Sequence, residues 1–211
     1  MTAGVITFSV QTGANGGAIA QAVAERMRYR FYDWEVVAQA ATQAGVSADV
    51  MAVATAERPP KLIERLVGYL VSGGAEESIA PPTTSRLSMF RSESYREIVE
   101  EVVRELARRG DCVIVGHAGQ AVLRDQSGVL KVMLRGSRRQ RIERLIASQG
   151  VDTARAEQTV DEVDRQRLDF FRRAYHIDWL DASNYDVVLN TDRISVDLAR
   201  DMIVAVAREI P

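Results

Sequence analysis

The chain has 211 residues, 46% of them hydrophobic and 27% charged, with a formal net charge of −2 at pH 7. That length carries a proper core in one α/β domain, and the near-neutral balance gives no global attraction to nucleic acid or to an anionic membrane surface. No apolar stretch reaches membrane-spanning length, no basic-then-apolar leader opens the chain, and the single Cys112 cannot close an intrachain disulfide, so a cytoplasmic protein is expected.

The first predicted element is a buried strand, Val5–Val10. It runs into Gln11-Thr12-Gly13-Ala14-Asn15-Gly16-Gly17-Ala18-Ile19 and an amphipathic helix over 17–28, with Ile19, Ala20, Val23 and Met27 on one face. A strand, a glycine turn and a helix N-terminus make a cradle for phosphate, because backbone N–H groups converge there and the helix dipole favours an anion. Set against Gly-x-x-x-x-Gly-Lys-Ser/Thr, the second glycine is Gly17, while Gln11, Ala18 and Ile19 stand at the first glycine, the lysine and the hydroxyl. An ordinary tight strand-to-helix turn also uses glycines in this way. The place after the first strand favours phosphate.

Arg30–Tyr32 is a weaker strand candidate, followed by helices expected at 34–44, 47–56 and 60–71. Residues 72–91 form a long Gly-, Ser- and Pro-containing loop, and such loops in compact domains are often functional. A helix over 92–109 places Tyr95, Ile98, Val99, Val102, Val103 and Leu106 on one face, with Ser92 or Ser94 as N-cap and Gly110 as the stop. The strand Cys112–Gly116 comes next. Just past it, His117 either meets a phosphate or base or serves structure alone, and Arg124-Asp125 follows.

The strand Val129–Leu134 leads into residues 135–144, which hold five arginines, and a helix is expected at 138–148. A further helix over 153–174 sets Asp161, Asp164 and Arg165 at i, i+3 and i+4, with Arg165 and Arg172 seven apart and Arg167 between them. Such a run is either a solvated, ion-paired face or a set of guanidinium groups placed to neutralise phosphoryl charge. The last strand is Asp186–Asn190. Its polar end, Asn190-Thr191-Asp192, either meets an adenine or ribose or caps the helix at 195–208 that Ser195 starts. Strands alternating with helices argue for a parallel sheet covered on both faces, with the loop at 11–17 at the carboxyl ends where ligands bind.

Six segments, in order, carry a family likeness. They are Ile6-Thr7-Phe8-Ser9 before Gly13-Ala14-Asn15-Gly16-Gly17; Tyr29-Arg30-Phe31-Tyr32-Asp33; Cys112-Val113-Ile114-Val115-Gly116; and Ala121-Val122-Leu123-Arg124-Asp125. The last two are Asp164-Arg165 through Arg172-Arg173-Ala174-Tyr175 with Ile177-Asp178-Trp179, and Tyr185-Asp186-Val187-Val188-Leu189-Asn190-Thr191. On these the chain resembles the cytidylate kinase-like family, a branch of the P-loop nucleoside monophosphate kinases. The resemblance implies a P-loop NTPase-type three-layer α/β/α fold over 1–211, built on a five-stranded parallel sheet. A helical acceptor-binding insertion at 34–91 and a lid at 150–175 belong to it. It also implies ATP as donor, Mg²⁺, CMP or dCMP or a related monophosphate as acceptor, and a monomer or homodimer.

Carried over to this chain, Gly13, Ala14, Asn15, Gly16, Gly17, Ala18 and Ile19 would hold the ATP phosphates. Arg165, Arg172 and Arg167 would clamp the transferred group, with Asp164 orienting an arginine. His117, Arg124 and Arg86 (or Arg91) would line the acceptor side, and no side chain is assigned as a metal ligand. Relatives usually carry a basic residue where this chain has Val10 and Ala18, and an arginine at His117. Each charge-assisted bond to phosphate is worth roughly 1.5–3 kcal/mol, so losing two or three would slow transfer about 10²-fold or more. Two further readings therefore accompany the first: a catalytically weak or silent nucleotide-binding or regulatory protein, and a kinase for a different small acceptor.

Overall fold

The computed structural model describes residues 2–33 and 93–210. The helices expected between 34 and 71, the loop at 72–91, and the candidates Arg86 and Arg91 lie outside the described residues. The chain divides into two compact units, one of Met1–Phe31 with Asp111–Pro211 and one of Tyr32–Gly110.

Strands β1 (Val5–Val10), β2 (Arg30–Tyr32), β3 (Cys112–Val115), β4 (Val129–Arg135) and β5 (Val187–Asn190) form one parallel sheet in the order β2-β3-β1-β4-β5. Val5 of the central β1 stands opposite Cys112 on one side and Val129 on the other, and Leu134 stands opposite Leu189 across β4 and β5. Chain order reverses at β1, so the segments after β1, β3, β4 and β5 all open at one carboxyl edge, where such sheets bind ligands. The described helices are α1 (Gly16–Met27), α2 (Glu93–Arg109), α3 (Gly119–Val122), α4 (Arg138–Gln149), α5 (Thr153–Tyr175) and α6 (Val196–Ala207).

Strand alternation sorts the core into two faces. Ile6 and Phe8 of β1 and Leu130, Val132 and Leu134 of β4 join Ile19, Ala20 and Val23 of α1 and Ile203 and Val204 of α6. Met133 of β4 points the other way and meets Ala118, Phe171 of α5, Trp179 and Tyr185. Helices α4 and α5 meet through Ile142, Leu145, Ala156 and Val160. The three-layer arrangement expected from the sequence is the one observed.

The helix starts follow local chemistry. The side chains of Ser137, Asp152 and Ser195 accept the N–H groups of Gln140, Arg155 and Leu198 and cap α4, α5 and α6. In the second unit, α2 buries Val99, Val102, Val103 and Leu106 at helical spacing and stops at Gly110, whose N–H donates to the Ala107 carbonyl. Of the two N-cap candidates, Ser94 lies within the span of α2 and Ser92 lies outside the described residues. Strand β3 ends at Val115, one residue short of the expected Gly116, because Gly116 turns to φ +81°. Among the described residues no helix is long and apolar enough to cross a membrane.

Candidate functional site

Between β1 and α1 the chain makes a tight turn. The Gln11 N–H donates to the Leu134 carbonyl at 3.0 Å, and the Ala14 N–H closes back on the Gln11 carbonyl at 3.0 Å. Gly13 has φ +81° and Asn15 φ 56°. A Cβ on Gly13 would lie 2.4 Å from the Arg141 carbonyl oxygen, and one on Gly16 would lie 2.2 Å from Val10 Cγ1, so both positions need glycine. A Cβ on Gly17 meets nothing within 4 Å.

The Asn15 side chain makes no capping bond, and the Ile19 N–H already reaches the Asn15 carbonyl at 3.1 Å. The first-turn amides of buried Gly16 and of exposed Gly17 and Ala18 therefore have no intrahelical acceptor, at the positive end of the helix dipole. Gly17 and Ala18 are exposed, whereas the Ala14 and Ile19 side chains are fully buried. Ile19 packs with Ile6 and Phe8. The cradle is thus built of backbone, and Ala14 and Ile19 contribute core contacts to it.

Three guanidinium groups from α4 and α5 hold the carbonyl side of the turn. Buried Arg141 donates from Nε to the Gly136 carbonyl (3.1 Å) and from Nη1 to the Thr12 carbonyl (3.2 Å), and its Nη2 lies 2.8 Å from Asp164 Oδ2. Arg144 donates to the Gly13 carbonyl (3.3 Å), to Thr191 Oγ1 (3.1 Å) and to the Thr191 carbonyl (2.6 Å). Arg167 donates to the Val10 carbonyl and to Thr12 Oγ1 (3.4 Å), with its guanidinium 5.4 Å from the centre of the Trp179 ring. Desolvation pushes Arg167 below the ordinary arginine range, against the opposing pull of Asp164. Gln11 is buried and bridges the same elements, donating to Asp164 Oδ2 at 3.5 Å and accepting the Gly136 N–H at 3.3 Å. The second Asp164 oxygen, Oδ1, is buried and has no hydrogen-bond partner among the described residues.

The arginines the sequence favours are partly elsewhere. Arg165 is 63% exposed and bound to Glu162 (2.7 Å) and Asp169 (3.6 Å). Arg172 is exposed, with no ion pair among the described residues, and Asp161 is taken by Arg138 at 2.8 Å. Of the predicted set, Asp164 and Arg167 reach the turn; Arg141 and Arg144 reach it without having been singled out. Their signal was the basic run directly after β4. Arg124 is exposed and pairs with the adjacent Asp125 at 3.1 Å, away from the turn's contacts.

His117 is buried at the end of β3, within three consecutive left-handed residues: Gly116 at +81°, His117 at +53° and Ala118 at +53°. Non-glycine residues in that region store strain of order 1–3 kcal/mol each, and such strain clusters at functional sites. Asp192 does not cap α6. Its carboxylate accepts the Ser137 N–H at 3.0 and 3.1 Å, closing the approach to α4, while Thr191 receives Arg144. A buried polar chain fixes the floor beneath Arg167: Trp179 Nε1 donates to Ser9 Oγ (3.0 Å), Tyr185 Oη to the Trp179 carbonyl (2.8 Å), and Gln120 to Tyr185 Oη (3.4 Å). Burial pushes the Tyr185 phenol up to about 12.

The first-turn amides and the arginines suit phosphate oxygens. The donor set does not form a protein-built metal site. Ile19 puts a buried methyl group where a hydroxyl ligand would stand, and among the described residues no three His, Cys, Asp or Glu side chains are grouped to hold an ion. Mg²⁺ arriving with a nucleotide would be held chiefly by phosphate and water.

The sequence profile of the cytidylate kinase-like family matches residues 5–193. Over 102 residues the chain is 29% identical to the cytidylate kinase of Methanopyrus kandleri, a match spanning 44% of this chain and 53% of that protein. The chain thus spans about half the length of the curated relative it matches. Among solved structures, an uncharacterized protein from Eubacterium ventriosum aligns with TM-score 0.61 and 17% identity, covering 96% of this chain and 97% of that one. A shikimate kinase from Bacteroides thetaiotaomicron aligns with TM-score 0.52 and 14% identity over 96% and 97% of the two chains. At these identities the structural likeness establishes a fold, the P-loop α/β fold.

Proposed function

The chain belongs to the cytidylate kinase-like family, and we propose that it transfers the γ-phosphoryl group of ATP to the phosphate of CMP, dCMP or a related nucleoside monophosphate. The observation that carries this reading is the uncapped first turn of α1, directly after the central strand, with Arg141, Arg144 and Arg167 gripping the turn by its carbonyls.

In the transfer, an oxygen of the acceptor phosphate attacks the γ-phosphorus in line. The bond to the β–γ bridging oxygen breaks, and ADP leaves with the electron pair. No covalent enzyme intermediate is needed; positioning and charge neutralisation supply the catalysis. The amides of Gly16, Gly17 and Ala18 hold the β-phosphate. Arg167, whose Nη1 reaches the Val10 carbonyl and Thr12 Oγ1 at the turn, offers N–H groups to the transferred phosphoryl, and exposed Arg172 is the second cation of the lid helix. Asp164 orients Arg141, and His117 lines the acceptor side. Mg²⁺, carried on the ATP phosphates, would supply further charge neutralisation.

A second reading is favoured by one observation. Position 18, exposed beside the cradle, carries an alanine methyl and no cation, as expected for a protein that binds nucleotide and transfers phosphate slowly or not at all. A coupled ADP-release assay with ATP, Mg²⁺ and CMP, dCMP, UMP or AMP, run beside thermal unfolding, separates the two. Turnover with CMP or dCMP is the expected result. Turnover with another acceptor alone assigns a different substrate. Stabilisation by ATP without turnover selects the silent binder, and neither stabilisation nor turnover overturns both readings.

A further inference from the structure

The three arginines that grip the turn are not equivalent in charge. Arg141 is neutralised by Asp164 at 2.8 Å, and Arg167 lies in the field of the same carboxylate. Among the described residues Arg144 donates to neutral acceptors, the carbonyls of Gly13 and Thr191 and the Thr191 hydroxyl. Asp192 feels its charge through space, while the Asp192 oxygens accept their hydrogen bonds from the Ser137 N–H. A guanidinium whose hydrogen bonds go to neutral groups, with a carboxylate facing it through space, keeps more of its field than one in a direct ion pair.

The Gly13 carbonyl that Arg144 holds lies in the same turn, three residues before the first amide of α1. We propose that Arg144 supplies, through the turn, the positive charge that a side chain at position 18 does not. The inference rests on the reading of the turn as a polyphosphate cradle. Arg144 acts there as a positioning residue: it fixes the Gly13 peptide against Thr191 and raises the potential at the cradle without touching the nucleotide. Its effect grows with the number of phosphate charges it faces.

Titration calorimetry with ATP, ADP and inorganic tripolyphosphate, at low and moderate salt, tests this on the wild type, Arg144→Lys, Arg144→Gln, Ala18→Lys and the double variant Arg144→Gln/Ala18→Lys. Arg144→Gln keeps a donor and loses the charge, so ATP affinity is expected to fall about tenfold or more, ADP affinity less, and the salt dependence to flatten. Arg144→Lys keeps most of the affinity. Adding the missing cation by Ala18→Lys restores it in the Gln background by more than it improves the wild type. Thr191→Asp provides a second route to the same state, because it places a carboxylate against an intact Arg144, and it is expected to weaken ATP to a similar extent.

Equal losses in Lys and Gln, no rescue by Ala18→Lys, or unchanged affinity in Thr191→Asp would overturn the inference. Tripolyphosphate binding that depends on Arg144, with no preference for ATP, would sustain the inference and sink the nucleotide reading. A wild type that binds neither compound overturns both.

Discussion

Arg141 and Asp164 form an ion pair, Nη2 to Oδ2 at 2.8 Å, with side chains 6% and 17% exposed. The pair joins α4 to α5 and holds the turn between them, because the other Arg141 donors reach the carbonyls of Gly136 and Thr12. Removing one partner leaves an uncompensated charge out of water, the costly way to lose a buried pair. Asp164→Asn keeps the shape and removes the charge. It is expected to destabilise by about 3 kcal/mol, a fall in Tm of about 6–12 °C for a protein of this size. The double variant Asp164→Asn/Arg141→Met should recover part of the loss, since Arg141 is no longer left unpaired, although Arg167 still loses the Asp164 charge. Calorimetric unfolding of the three proteins decides the matter; an unchanged Tm in Asp164→Asn would show that the pair contributes nothing.

Gly16 and Gly17 are adjacent and face different constraints. A Cβ on Gly16 would lie 2.2 and 2.5 Å from the two Val10 methyls, while a Cβ on Gly17 meets no protein atom. Gly16→Ala should therefore destabilise by about 1–3 kcal/mol through overpacking, although alanine is the better helix former. Val10→Ala in the same chain should relieve it. Gly17→Ala should leave stability unchanged or slightly raised and weaken ATP, because its methyl covers the first-turn amides. Urea unfolding and ATP calorimetry on each variant separate the two roles. Gly17→Ala with full ATP affinity would move the nucleotide away from this turn.

The sheet and its turn were legible because they are local. An apolar β-branched run, a glycine cluster and an amphipathic helix each declare themselves within a dozen residues. The arginine clamp was not local: Arg141 meets Thr12 across 129 residues of sequence, and a run of five arginines by itself reads as a solvated face. On α5, spacing groups Asp161, Asp164 and Arg165, yet the three diverge to Arg138, Arg141 and Glu162. The buried Phe171 marks the inward side. It lies seven and four residues beyond Asp164 and Arg167, which puts those two on its face and turns Arg165 and Arg172 outward. Gln11 looked like a missing glycine. Its amide instead ties the turn to both Asp164 and Gly136, a role that only the folded geometry reveals.

Trp179 joins this clamp to the core, and its two functions can be pulled apart. Its Nε1 donates to Ser9 Oγ at 3.0 Å, its ring stacks on Phe171 at 6.1 Å with 5° between planes, and Arg167 lies over its face. Trp179→Phe keeps an aromatic ring but removes the N–H donor to the buried Ser9 Oγ, which keeps its contact with the Tyr185 hydroxyl, a loss of about 1–3 kcal/mol. Ser9→Ala added to it removes the unmet acceptor and should restore part of the stability. Turnover should behave differently, because phenylalanine is the weaker platform for a guanidinium. With Arg167 less firmly held, kcat is expected to stay low in the double variant while the KM for ATP changes little. Stability and kcat recovering together would instead make Trp179 a core residue whose contact with Arg167 has no part in transfer.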